Sequence, residues 1–462
     1  MDYVRHIAVF LVAAALIGIV VNPTASKKMA GQAVFVATNV TDFDHGQTPY
    51  SERECPRSRP VLTRAVANLD DVISISPLGG VTAPEEPLPA PHIRINTKRS
   101  TGFQRRQTTV FSPAKADIIA IERRIDRAEN GTGVSQSWTV HFSVCQDIRF
   151  FLSDLDSVSE EIVTRAGGVK AFSEMTGPDN TAVETQIRVR AGDVIGMADG
   201  FDMGLSDFIK PAKNLVRPER YRSNPYTTAR VLNTDASLIA AIEHDHTRAQ
   251  CPLDYFSDGV AAIWSDRLGD SFGIRKAKGD NACRAAVLDL DGAAQGAWFT
   301  DASLNAAVSR VRAISLAPDT IDPARQIFAL HGRLPSLSPD MINLTPKQVS
   351  ARQRAARDFL TFEHGKGDIN PPFALTEMGK TYCYDGLRAN FVGPRVNGVV
   401  LLRVEDPNEE GSGSVVGDTQ VRVQSRHELG ARMRIEARAD ALSCSDLEKP
   451  WAFTGNETLF FR

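Results

Sequence analysis

The chain has 462 residues, 42% of them hydrophobic and 24% charged, with a formal net charge of -3 at pH 7. That balance gives no global basic field for nucleic acid, and no GxxxxGKS/T phosphate loop or GxGxxG fingerprint supports nucleotide chemistry. The apolar content suffices for two or three globular domains.

In chain order, Arg5 and His6 precede an apolar run from Ile7 to Val21, and "NPTASKK" follows it. A run of this length is typical of a signal-peptide core and marginal for crossing a bilayer. Residues 1–26 are therefore expected to be a signal peptide or an anchor. Membrane contact would be confined to residues 4–21 if the segment is retained. From Lys27 to about Thr109 the chain reads as irregular, and "SPLGGVTAPEEPLPAPH" carries too many prolines for a helix or a central strand. Strand alternation begins in "QSWTVHFSVCQDIRFFL" and returns in "ETQIRVRAGDVIGMA", where Ala191-Gly192-Asp193 supplies a turn. Between them "DLDSVSEEIVTRA" predicts a short helix, with Ser157 or Ser159 near its cap and Glu160 and Glu161 in its first turn.

Two helices are expected in "ASLIAAIEH" and "CPLDYFSDGVAAIWSDRLG", and an inserted amphipathic helix in "SARQRAARDFL". From Arg284 onward strands dominate: "RAAVLDLDG", "GAWFT", "ARQIFALHG", "GKTYCYDG", "GVVLLRVED", "TQVRVQS", "RMRIEARA" and "TLFF". Turn-rich pieces such as "NEEGSGSVVGD" separate them, predicting an antiparallel barrel or sandwich. The expected organisation is a β domain over 27–215, a helical segment over 216–283 and an antiparallel β domain over 284–462.

The six cysteines, Cys55, Cys145, Cys251, Cys283, Cys383 and Cys444, form no CxxC pair. An even, widely spaced set suits structural disulfides in an oxidising, extracytoplasmic compartment, although six cysteines allow fifteen pairings. Spacing favours Cys251–Cys283 and Cys383–Cys444, leaving Cys55–Cys145. Tyr382 and Tyr384 flank Cys383 with period two, so both rings share one strand face. If the sulfur points inward, the rings lie outward as a candidate ligand face; barrel packing is the alternative.

Four further patterns bear on chemistry. His244 and His246 form an HxH beside Glu243 and Asp245, a metal geometry on a strand but a polar helix end otherwise. Asp289 and Asp291 are paired carboxylates on one strand face, suited to acid/base work or to a solvated turn. No GxSxG elbow is present, so Ser/His/Asp catalysis has no anchor. "NVT", "NGT", "NLT" and "NET" match the glycosylation pattern, which matters only in a eukaryotic host.

The segments "PLGGVTAPEEPLPAPHIRIN", "WTVHFSVCQDIRFFLSDL", "VRAGDVIG" and "GLSDF" occur in the order of the motifs of lysostaphin-type zinc metallopeptidases. From roughly Pro77 to Phe208, under a third of the chain, the sequence resembles that family. The resemblance implies a duplicated-hybrid-motif β-sandwich domain within a mainly β protein. Those enzymes cut cell-wall peptides with a zinc held by the His and Asp of HxxxD and the second His of HLH. Here His92 matches the first ligand, Asn96 replaces the Asp and Asp207 replaces the last His. Leu205 stands at the other HLH imidazole and Ser153 or Asp154 at the YxHL imidazole. His141 matches a position that is not a ligand. Leu can neither donate a proton nor accept one, and a neutral amide is a poor zinc ligand. The resemblance therefore implies a degenerate site with no cofactor expected and, at most, residual zinc at His92, Asn96 and Asp207.

"CPLDYF", "LDLDGAAQGAWF" and "YCYDGL" are similar to uncharacterised bacterial exported proteins that join such a domain to a β-rich tail. The expected function is a non-catalytic cell-envelope binding or regulatory protein, with peptidoglycan or an envelope protein as partner and no nucleic acid. An active metal-dependent peptidase with an unusual ligand set is the alternative. A lipocalin-like carrier of a small ligand is the third reading.

Overall fold

The computed structural model describes residues 34–37, 50–56, 60–81, 89–99, 105–127, 134–173, 180–210, 248–278, 283, 289–300, 313–330, 359–389, 391, 393, 395–405 and 431–462. The protein is mainly β, as the alternation predicts, and its strands gather into two large sheets and one small one.

The N-terminal lobe contains β1 (Val34–Ala37), β2 (Val72–Ser76), β3 (His92–Thr97), β4 (Thr108–Phe111), β5 (Ala116–Arg127) and β6 (Val134–Cys145). It continues with β7 (Ile148–Leu155), β8 (Ser157–Val158), β9 (Asn180–Val189), β10 (Val194–Ala198), β11 (Phe201–Asp207) and β12 (Ala249–Gln250). The main sheet runs β1-β9-β5-β6-β7-β11-β3-β2, with β12 added to β11. Every pair is antiparallel except β1 with β9. Three of the strands that hold the segments compared with the peptidase motifs, β7, β11 and β3, are neighbours in this order. A second sheet, β4-β10-β8, includes "DVIGMA". The helix α1 (Glu160–Arg165) is capped by Ser159, whose hydroxyl accepts from the Ile162 amide, and α2 (Gly168–Ser173) follows it.

One face of the main sheet is apolar and packs under the small sheet: Ile93, Ile95, Ile118, Val140, Phe142, Leu152, Met203 and Leu205 share a core with Val110 and Ile195. The helix α3 (Asp258–Ser265) and its flanks join that core through Leu253, Tyr255, Phe256, Trp264 and Leu268. The described part of the 216–283 segment is therefore built into the first β body. Its apolar side chains have no core of their own to bury against.

The C-terminal lobe contains β13 (Gly296–Phe299), β14 (Ala313–Pro318), β15 (Arg325–Leu330), β16 (Phe359–Glu363) and β17 (Thr381–Tyr384). It ends with β18 (Arg388–Ala389), β19 (Val399–Glu405), β20 (Arg432–Arg438) and β21 (Thr458–Phe461). These form one antiparallel sheet, β17-β19-β20-β21-β13-β14-β15-β16-β18, curled into a half-barrel. Its concave face is filled by Trp298, Phe328, Phe362, Phe373, Tyr382, Tyr384 and aliphatic neighbours.

The lobes meet along a short seam. Val81 packs against Ala317, Ile327 and Ala329. Arg275 pairs with Asp319 at 2.8 Å and lies 3.9 Å from the Phe391 ring, and Lys278 pairs with Asp322 at 2.7 Å.

The disulfides are Cys55–Cys145, Cys251–Cys283 and Cys383–Cys444, the pairs that spacing favoured. The first two lie in the N-terminal lobe and the third in the C-terminal lobe.

Candidate functional site

Strand alternation sends Ile93 and Ile95 of β3 into the core, so His92, Arg94 and Asn96 share the opposite, polar face. Register extends this face across the sheet. His92 lies opposite Gly204 and Arg94 opposite Asp202 on β11. Gly204 and Asp202 face Phe151 and Ser153 on β7, and Phe151 faces His141 on β6. Gly204 has no side chain, and the Phe151 ring occupies the space: a Cβ there would fall 2.0 Å from a ring carbon. The ring stands between two imidazoles, 6.2 Å from His92 and 6.1 Å from His141. Each imidazole has its own carboxylate. His141 Nε2 is 2.6 Å from Glu122 Oε1, and His92 Nε2 is 3.5 Å from Asp202 Oδ2.

Arg94 ties the face together by donating to Asp154 and Asp202, each at 2.9 Å. Asp154 reaches Arg94 because β7 carries an extra residue. Trp138 and Val140 of β6 pair with Leu155 and Leu152, so two steps on one strand meet three on the other. Asp154 sits in this bulge with φ 59°, the left-handed region, a local backbone change that re-aims a side chain. Burial alone would raise the Asp154 carboxyl. The Arg94 hydrogen bond and the charges of Arg94, Arg124 and His92 outweigh it and hold the group below its ordinary value. Arg94, drawn chiefly by Asp202, is held more firmly protonated.

The sign of the resulting pH effect follows. A carboxyl held low when folded contributes stability that is complete above its unfolded value, about 3.9, and lost as pH falls through the lower folded one. Denaturant midpoints measured between about pH 2 and 6 should fall with acid, and Arg94→Met should flatten that fall. Parallel curves for the two proteins would count against the Arg94 clamp.

The residues that the resemblance pointed to do not form a zinc site. His92 and Asn96 lie on the polar face, but Asp207, in alternation with Met203 and Leu205, points into the apolar side. Along β11, Asp207 lies three residues beyond the partner of His92, roughly 10 Å, and on the order of 20 Å from the level of Asn96. Asp207 is fully buried and accepts from the Tyr255 hydroxyl at 2.5 Å and from the Ile209 amide at 3.0 Å. Asn96 is spent on Ser76 and Arg105. Zinc needs three or four convergent donors, and this set does not fit. Among the described residues no group of three His, Cys, Asp or Glu is placed to hold a metal. Leu205 is buried in the core.

The outward ligand face expected at Tyr382 and Tyr384 is corrected. Both rings are buried on the concave core, and the Tyr382 hydroxyl accepts from the Glu377 amide. The reason is that Ala441, Cys444 and Trp451 fold over the other face, so the Cys383 side is covered as well. Asp289 and Asp291 are not a pair. Asp289 is buried and accepts from the Ala297 amide at 3.0 Å, while Asp291 is exposed in a turn. His244, His246, the 1–26 segment and the helices expected in "ASLIAAIEH" and through most of "SARQRAARDFL" lie outside the described residues.

Sequence reasoning missed Arg94, Asp202 and the acidic role of Asp154. Two signals carry them. "HIRIN" and "FDMG" alternate polar with apolar, which places His92, Arg94 and Asp202 on one face. In "FFLSDL" the core positions Leu152 and Leu155 are three apart, where period two demands an even step. That mismatch is the signature of the bulge. Compared with known proteins, the chain matches no family model, no curated protein and no solved structure. The arrangement is one of mutually satisfied charge pairs around a buried ring.

Proposed function

We propose that this chain is a non-catalytic binding or regulatory protein of the cell envelope, built on a degenerate lysostaphin-like sheet. One observation carries the reading: the positions matching the peptidase ligands are divided between the two faces of the sheet, with Asn96 and Asp207 each held in structural hydrogen bonds and His92 lying 3.5 Å from Asp202. The alternative, a peptidase using His92 and Asp207 as ligands, would require those groups to converge through the sheet. A carrier role for the half-barrel is disfavoured by the aromatic side chains that fill its concave side. Three disulfides are consistent with an oxidising, extracytoplasmic compartment. Among the described residues no helix is long and apolar enough to cross a membrane.

The partner in this reading is peptidoglycan or an envelope protein, engaged through the polar face around Arg94 and Asp202. Purified protein is expected to stay on a peptidoglycan pellet and to be released several-fold more readily by Arg94→Ala. Elemental analysis after dialysis is expected to give zinc well below one equivalent. Stoichiometric zinc, lost in His92→Ala and in Asp207→Ala, would overturn the non-catalytic reading. Absence from the pellet would remove the polymer and leave a protein partner.

A further inference from the structure

The polar face continues past Arg94 to a cation that, among the described residues, has no carboxylate in ion-pair contact. Arg105 donates from Nη1 to Asn96 Oδ1 at 3.0 Å, and among the described residues it makes no ion pair. The Asn96 amide is fixed in orientation, because its nitrogen donates to Ser76 Oγ at 3.1 Å and to the Arg94 carbonyl at 3.3 Å. Its oxygen is therefore left for the guanidinium. Gly200, at φ 140°, provides the bed beneath: a Cβ there would lie 3.0 Å from Arg105 Nη1. Arg94 differs in being saturated by Asp154 and Asp202. Burial lowers the Arg105 pKa, Arg94 and Arg99 lower it further by repulsion, and Asp199 offsets them only in part. Among the described residues this half-buried cation has only the partial, unpaired influence of Asp199, where such groups ordinarily have a direct counter-charge. A guanidinium has five N–H donors in a planar fork that matches two oxygens of one anion.

We infer that Arg105, held by Asn96 over Gly200, is an oxyanion-binding residue that takes the carboxylate or phosphate group of a ligand on the polar face. The inference rests on the reading of that face as a binding surface, and it adds the chemistry of what is bound there.

The test is the melting midpoint of the full chain at constant ionic strength, with chloride replaced by inorganic phosphate or by acetate. Ligand that binds only the folded state raises the midpoint with concentration. Phosphate also stabilises proteins generally by exclusion from their surfaces, so the comparison between variants decides. Wild type and Arg106→Ala, whose side chain is 66% exposed, are expected to show the same rise. Arg105→Ala should lose the anion-specific part. Arg105→Lys should weaken it several-fold, since an ammonium lacks the fork. A response to phosphate alone identifies a phosphate ligand, and a response to acetate a carboxylate. An unchanged rise in both Arg105 variants, or no rise above chloride in wild type, overturns the site. Anion response without peptidoglycan retention keeps the site and removes the polymer. Retention without anion response removes the site alone.

Discussion

Replacing Cys55 and Cys145 together by alanine is expected to lower unfolding free energy by roughly 4 to 5 kcal/mol on the chain-entropy estimate, which is an upper figure. The bridge closes a loop with a sequence separation of 90, against 61 for Cys383–Cys444 and 32 for Cys251–Cys283. It also fastens an extended segment to the β6–β7 turn, where the Gln146 amide donates to the Arg53 carbonyl and the Asp147 amide to Cys55 Sγ. The check is a urea series on the oxidised protein and the double variant. An unchanged midpoint would mean that the segment is held by packing alone. Removal of the Cys251–Cys283 pair is expected to cost least of the three on the same estimate.

Gly204→Ala is expected to destabilise the N-terminal lobe by about 1 to 3 kcal/mol, the range for overpacking a filled site. The added carbon would lie 2.0 and 2.3 Å from two carbons of the Phe151 ring, which is itself buried beside His92 and His141. The cost is a property of the pair. In a Phe151→Ala background the same change should become nearly neutral, since alanine suits a strand better than glycine does. A double-mutant cycle measures this directly. Equal costs in both backgrounds would show that the glycine serves something other than the ring.

Much of the architecture is legible in the sequence because burial imposes period two on strands. "WTVHFSVC" alternates, so Val140 and Phe142 join the apolar core while Thr139, His141 and Ser143 take the opposite face, where they are also covered. "RMRIEAR" became β20 in the same way, whereas "GAWF" and "VVLLRVE" became β13 and β19 as strands buried on nearly every residue. The polar face was harder to see. Its members come from β3, β5, β6, β7 and β11, and only strand order brings Asp202 to Arg94. The bulge at Asp154 then shifts one carboxylate by a residue, which no motif aligned by spacing can register. The tyrosines beside Cys383 misled because alternation says which residues share a face and not what covers it. A loop far along the chain, ending at Trp451, decides that.

The seam between the lobes has a mechanical consequence. No disulfide crosses it, whereas each core is closed by at least one. Among the described residues its contacts are a few small apolar side chains, two ion pairs, a guanidinium on a ring and the Lys278 amide donating to the Ile321 carbonyl. Force applied to the two lobes in opposite directions would load this seam before either sheet. Each sheet would stay intact, and the molecule would lengthen as a two-bead tether.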